Sequence, residues 1–246
     1  MSEPKKVALI TGANKGLGLE TARQLAAQGV TVLLGSRDLA RGEAAAAKLK
    51  SEGLDVQAVK IDVDDRADHA AVAELIEKEF GKLDILINNA GIQIDGEIGT
   101  NSTLEIPEEN VRKTFDTNFF AVLALTRTLL PLLRKSEAAR IVNLSSILGS
   151  LTLHASKDSP IYAAKGFAYD TSKTALNSLT IHLAHALKDT KIKVNSAHPG
   201  WVKTDMGTDA APMDVVDGSK TGVWLATLPE DGPNGGFFHM KDALPW

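Results

Sequence analysis

A doubly wound α/β fold, with a parallel sheet covered by helices on both faces, is what the sequence predicts. Three observations carry that reading. Short β-type runs alternate with longer helical patterns along the chain. Several of those runs are apolar throughout, as strands buried on both faces are. A glycine-rich turn joins the first run to the first helical pattern.

Val7–Ile10 is the first predicted strand and Gly16–Gln28 the helix after it. Thr31–Leu34 precedes a helix over Leu39–Leu49, where Ala44–Ala47 is strongly helix-forming. Val56–Ile61 precedes Ala67–Phe80, whose Ala70, Ala73, Ile76 and Phe80 recur near helical spacing. Leu83–Ile87 reads as a strand buried on both faces. Glu108–Leu133 reads as one long helix entered beside Pro107, with Pro131 placed to end or kink it. Ile141–Leu144, Ser172–Leu187 and Ile192–Val194 continue the alternation as strand, helix and strand. No repeat, low-complexity tract or linker-like stretch interrupts it, so residues 1–246 are expected to form a single domain. Ile147–Asp170 and the tail after Leu228 break the rhythm; both are expected to leave the layered scaffold, where they could build a site.

The 246 residues are 43% hydrophobic and 24% charged, which excludes intrinsic disorder. A net charge of −4 gives no basic surface for nucleic acid or anionic membrane. The absence of cysteine excludes disulfides, thiolate catalysis and Cys-ligated metal. The opening residues are too weakly apolar for a signal peptide, and Phe119–Leu125, the longest apolar run, is far below the ~18 residues of a membrane span. A cytoplasmic protein is expected.

The glycine turn, Thr11-Gly12-Ala13-Asn14-Lys15-Gly16-Leu17-Gly18, lies between strand and helix. Glycines there let the backbone approach a pyrophosphate at the positive helix N-terminus, although turns also use glycine for steric reasons alone. Tyr169 and Lys173, at i and i+4 of a helix head, share one face. A phenol of ordinary pKa ~10 is a poor acid–base catalyst near neutrality, and a neighbouring cation favours phenolate. A solvated helix face is the bland alternative for such a pair. Ser145-Ser146 follows a predicted strand and completes a candidate constellation.

Through these and further motifs the chain resembles the short-chain dehydrogenase/reductase family from Val7 to about Asp205. The likeness rests on the glycine turn, Asp62-Val63, Asn88-Asn89-Ala90-Gly91, Asn118, Ser146, Tyr169 with Lys173, and Pro199-Gly200, in that order. Within the family it is most similar to the carbonyl-reductase-like enzymes, through Asn14-Lys15, Trp201-Val-Lys-Thr-Asp-Met206 and an extended interval of 23 positions from Ser146 to Tyr169.

The resemblance implies a Rossmann-type dinucleotide-binding and catalytic domain that reduces a ketone or aldehyde with NADPH, reversibly. Tyr169 would give its proton to the carbonyl oxygen, Ser146 would hydrogen-bond that oxygen, and Lys173 would lower the Tyr169 pKa and hold the nicotinamide ribose. Asn118 would hold a water leading from Lys173 to solvent. Gly12, Asn14, Lys15, Gly16, Leu17, Gly18, Ser36, Arg37, Asp62, Val63, Asn89, Ala90, Gly91, Pro199, Gly200, Val202 and Thr204, with Tyr169 and Lys173, would contact the cofactor.

Cofactor choice is expected at the end of the second strand. NAD enzymes of the family place there an acid that accepts from the ribose 2′-hydroxyl; this chain has Ser36, then Arg37, with Lys15 approaching from the glycine turn. Two cations and no acid favour a 2′-phosphate, hence NADPH over NADH. The alternative is that both are solvated cations, one of them paired to Asp38. Substrate contacts are expected around 92–106, 147–168 and 201–218, with Ile92–Ile98, Ile147–Tyr162, Trp201 and Met206 suggesting a small hydrophobic carbonyl compound.

Three decoys stand beside these residues. Tyr162 and Lys165 are only three apart in the interrupting segment, which favours a pocket-wall tyrosine. Ser145 competes with Ser146, and the family pattern selects the second. His182 and His185 are spaced to share a metal, but hydride transfer needs none and no metal is expected. Alternative functions on the same scaffold are a 3-oxoacyl-thioester reductase or secondary-alcohol dehydrogenase and, from a different class, an NADP(H)-sensing protein without catalysis. Family members pair through the long central helix and the Tyr-bearing helix, which implies a homodimer or homotetramer, although the extended segment before Tyr169 could cover that surface.

Overall fold

The computed structural model describes residues 5–96, 99 and 103–246. Eight strands form one sheet in the order β3-β2-β1-β4-β5-β6-β7-β8. β1 (Val7–Ile10), β2 (Thr31–Ser36), β3 (Val56–Lys60), β4 (Ile85–Asn88), β5 (Arg140–Leu144), β6 (Lys193–His198) and β7 (Phe237–His239) are parallel, and β8 (Asp242–Ala243) is antiparallel to β7. Successive side chains alternate between the faces. Ala8 and Ile10 pack with α1 (Gly16–Ala27), α2 (Leu39–Ser51) and α8 (Val215–Ala226); Val7 and Leu9 pack with α3 (Arg66–Phe80), α5 (Ala121–Leu133) and the end of α7 (Phe167–Ala186). Among the described residues no helix is long and apolar enough to cross a membrane.

The expected strands and helices are present, with four departures. The first is the tail after Leu228, which returns to the scaffold: its β7 pairs with β6, and Phe237 is among the largest fully buried side chains. A strand of three residues is too short to signal itself by periodicity.

The second departure is the long helix, which is divided. α4 (Glu108–Phe115) passes through a π-helical turn, Asp116–Phe120, into α5, and Pro131 lies within α5 without ending it. The third is in α3, where Ile76 is buried and Ala73 and Phe80 pack against the core as expected, but Ala70 is exposed. His69 and Val72 are buried as well, and the His69 ring meets the Val63 carbonyl at 2.8 Å. In the fourth, α7 begins five residues before its expected start, and the interrupting segment contains a 3-10 turn, Ile147–Gly149, and a short helix, α6 (Leu151–Ala155). Asp84, within the expected Leu83–Ile87 strand, is buried and accepts a hydrogen bond from the Val7 amide at 2.9 Å.

Strand order reverses between β1 and β4. That switch point opens a crevice at the carboxyl ends of the strands, where ligands of open α/β sheets bind.

Candidate active site

The glycine turn leaves β1 directly at this crevice. Gly12 and Gly16 adopt left-handed backbone, with φ +62° and +56°. A Cβ on Gly18 would lie 2.7 Å from the Gly12 carbonyl oxygen, so only glycine lets α1 start this close to the turn. α1 has neither a side-chain cap nor an acid in its first turn, which leaves its N-terminal amides to an anion. From β4, Asn89 joins the turn: its side-chain amide donates to the carbonyls of Thr11 (2.7 Å) and Gly12 (3.1 Å), and the Asn89 and Ala90 amides donate to the Thr11 hydroxyl. Gly91 continues this loop beside Lys173 Nζ and Asn118, where an added Cβ would lie 3.2 Å from Asn118 Oδ1. After β6, Pro199-Gly200 leads to Val202, which is buried and bridges to Met213. The Thr204 methyl would lie 3.6 Å from a Cβ on Gly16, which brings this loop over the glycine turn. α8 packs beside Leu17, whose carbonyl accepts from Ser219. Together these features form a cradle open to a dinucleotide, and the residues present fit one.

At the end of β2, Ser36 is buried and donates to the Asp38 carbonyl at 2.7 Å, while Arg37 is exposed. Asp38 caps α2 and pairs with Arg41 at 3.2 Å, so Arg37 keeps no acid from this turn. Lys15 is not free at this position: its ammonium is paired with Asp205 in the loop after β6. Asp62 and Val63 lie at the end of β3 in a turn organised by Asp68, which accepts from the Asp62 amide at 2.7 Å, and by His69.

Ser146 follows β5, and its hydroxyl accepts from the Leu148 amide at 3.2 Å as it caps the 3-10 turn. Ser145 is instead committed inward and donates to Asn177 Oδ1 at 2.7 Å. The Tyr169 phenol, in the first turn of α7, is pushed up to about 12 because burial penalises phenolate; a hydrogen bond with Ser146 works against this, and the carboxylates of Asp170 and Asp95 add to it. Lys173 Nζ lies 5.5 Å from the Tyr169 ring centre and donates to the Leu144 carbonyl at 2.8 Å. Burial pushes its ammonium down to about 8. The expectation that Lys173 lowers the Tyr169 pKa therefore meets a stronger opposing effect, the desolvation of the phenol.

Asn118 is fully buried in the π turn, which excludes the solvent-facing alternative. Its Oδ1 accepts from the Ile92 amide, and its Nδ2 donates to the Ile92 carbonyl (both 2.9 Å) and to Ser172 Oγ (3.0 Å). Both amide hydrogens are thus used.

Trp201, Met206, Tyr162 and Leu151 are exposed large apolar side chains from the expected substrate segments. Lys165 sits 5.0 Å above the Tyr162 ring. His182 and His185 are exposed on α7. Ile98, like positions 97 and 100–102 of the 92–106 segment, lies outside the described residues, as do residues 1–4.

Sequence reasoning missed two residues. Asp95 reaches α7 from the loop after β4 and is taken up below. His198 is pushed down to about 3 by burial, with His239 adding to the effect, and is therefore neutral. Its Nδ1 accepts from the amides of Ile147 (3.2 Å) and Gly200 (3.4 Å), joining the Ser146 loop to the Pro199-Gly200 loop. A histidine before Pro-Gly carries no spacing signal. For Asp95 no local signal exists, because the helix it caps was expected to start only at Ser172.

A profile described as short chain dehydrogenase matches residues 6–214. The chain is 36% identical to short-chain dehydrogenase/reductase 1 of Saponaria officinalis, over 98% of this chain and 96% of that one. It is 32% identical to carbonyl reductase 1 (NADPH) of Mus musculus, with both chains covered completely. The structure of NADPH-bound carbonyl reductase from chicken fatty liver superposes with a TM-score of 0.84 at 28% identity, covering 98% of this chain and 99% of that one.

Proposed function

Because the chain belongs to the short-chain dehydrogenase family, we infer that it catalyses the NADPH-dependent reduction of a small ketone or aldehyde to the alcohol. The observation that carries this reading is the meeting of Ser146, Tyr169 and Lys173 beside the dinucleotide cradle, at the carboxyl ends of β4 and β5. Bound in that cradle, NADPH would supply the hydride. The glycine turn and the α1 N-terminus would hold its pyrophosphate, Ser36 and Arg37 its 2′-phosphate, and Asn89–Gly91, Lys173 and the 199–204 loop its nicotinamide half.

Ser146 presents its hydroxyl to the carbonyl oxygen and orients it. Tyr169 donates the proton that the oxygen needs as negative charge develops there. A phenol pushed up to about 12 is protonated throughout the neutral range, as a general acid for reduction must be. Lys173, mostly charged at neutral pH even after its downward shift, faces the phenol and compensates the charge left on it. Asn118 fixes the loop that carries Gly91 and Ile92. The exposed apolar side chains of Trp201, Met206, Tyr162 and Leu151 support a hydrophobic substrate. The same proposal has residues 1–246 acting as one domain in the cytoplasm, with copies pairing through α4–α5 and α7; Phe120 and Ile181, exposed on these elements, support the pairing.

The test is a panel of aryl ketones, keto esters and acetoacetyl thioesters with NADPH or NADH, followed by loss of reduced-nicotinamide absorbance. Turnover of a ketone or aldehyde with NADPH, at least about tenfold more efficient than with NADH, is expected from one charged contact to the 2′-phosphate. Tyr169→Phe loses about 10²–10⁴ of that rate while retaining cofactor affinity. Tyr162→Phe retains activity of the same order. Loss in Tyr162→Phe instead would reverse the assignment, and tight NADPH binding without any turnover would favour the sensing alternative.

A further inference from the structure

The helix that carries Tyr169 starts without a cap of its own. Gly166 occupies the cap position and has no side chain to offer the first amides of α7. Those amides are taken by Asp95, which lies 73 positions earlier in the chain and is buried. Asp95 Oδ1 accepts from the Ala168 amide at 2.6 Å, and Oδ2 accepts from the amide of Tyr169 itself at 3.0 Å. The same loop, a few residues earlier, carries Gly91 and Ile92, which Asn118 holds in place. One carboxylate thus ties the loop on the nicotinamide side of the cradle to the backbone of the tyrosine.

We propose that Asp95 is a positioning residue for the reduction, setting the place and the proton affinity of the Tyr169 phenol by clamping the first turn of α7. This rests on Tyr169 being the acid. A carboxylate at a helix N-terminus is stabilised by the helix dipole and by two charge-assisted hydrogen bonds, so the clamp is rigid. From there its charge also disfavours phenolate at Tyr169. The other charged groups there are Asp170 and Lys173 of α7; behind Asp170 stand His154 of α6, with Nε2 3.3 Å from Asp170 Oδ2, and Lys165, with Nζ 2.8 Å from His154 Nδ1. Of these, Asp95 and Asp170 disfavour phenolate. Asp95 therefore helps keep the proton on Tyr169, which serves reduction and opposes alcohol oxidation, where phenolate must form.

Asp95→Ala and Asp95→Asn, with Tyr169→Phe as control, test this in the full chain. Asp95→Ala lowers kcat for ketone reduction by about 10- to 100-fold, the scale of a small misplacement of an acid. NADPH affinity by fluorescence titration stays within about twofold. Asp95→Asn keeps one acceptor but no charge. It recovers a large part of the lost kcat and moves the alkaline limb of alcohol oxidation about half a pH unit toward neutral, since phenolate then forms more readily.

An unmoved limb in Asp95→Asn overturns the proposal, as does a fall in kcat that only tracks loss of folded protein by circular dichroism. Should Asp95→Ala fail to fold, the limb in Asp95→Asn alone decides. Wild-type protein that reduces no carbonyl, or an active Tyr169→Phe, overturns the reading beneath it. An active wild type, a dead Tyr169→Phe and unaffected Asp95 variants overturn the role of Asp95 alone.

Discussion

Asp170, which follows Tyr169 in the first turn of α7, carries a buried carboxyl. Burial raises its carboxyl to about 7; Asp95 adds to the rise, and the Gly166 amide and Lys165 oppose it. Its Oδ1 is buried with no hydrogen-bond partner, and its Oδ2 accepts from Gly166 at 2.9 Å. Burial lowers the neighbouring His154 imidazole, and its ring Nδ1 faces the Lys165 ammonium, which disfavours a charged partner for Asp170 there. The folded chain thus holds this proton more tightly than the unfolded chain, whose carboxyl titrates near 4. The stability it contributes is full below pH 4 and is lost as pH rises toward and through 7. Asp170→Asn, neutral at every pH, is therefore expected to raise Tm relative to wild type at pH 9, with a gain that shrinks at pH 5. Equal gains at both pH values in thermal melts would contradict the buried charge.

At the scale of elements, the π turn is what turns Asn118 inward. Interrupting α4–α5 by one wide turn places an amide inside the helix pair, where it serves the Ile92 backbone and Ser172. Asn118→Ala leaves the half-buried Ile92 amide and carbonyl without these partners. Urea unfolding is expected to show a loss of about 1–3 kcal/mol, and kcat to fall because the Gly91–Ile92 loop loosens. Sequence periodicity treats Glu108–Leu133 as uniform because i, i+3 and i+4 spacing is blind to one inserted residue. The early start of α7 is hidden for a related reason: the group that satisfies its first amides is Asp95, not a neighbour in the chain.

Across the whole molecule, Arg140 fastens the tail to the sheet. Buried at the start of β5, its guanidinium donates to the carbonyls of Leu228 (2.7 and 3.0 Å), Pro229 (3.1 Å), Ala138 and Ala139 (both 2.9 Å) and Lys191 (3.2 Å). Carbonyls take the place of a carboxylate, and burial lowers the guanidinium. The tail beyond Leu228 then supplies β7 to the sheet edge and stacks Trp246 on Phe237 at 5.6 Å. Arg140→Met strands those carbonyls and is expected to cost about 2–4 kcal/mol in urea unfolding. Hydrogen exchange at β7 amides should rise more than at β1, and a uniform rise would place the loss elsewhere.

By itself the sequence determined the parallel α/β alternation and the glycine turn, and it singled out Ser146, Tyr169 and Lys173 only through the family resemblance. The first two are written in local spacing: period two or 3.6 for the elements, and glycine at positions with positive φ or close approach. Only the tertiary structure decided that the tail closes the sheet, that His198 joins two site loops and that Lys15 pairs with Asp205. It also decided that the Tyr169 phenol lies above its ordinary value. These depend on which groups far apart in the chain meet, and on how much water their meeting excludes. Spacing along the chain encodes neither.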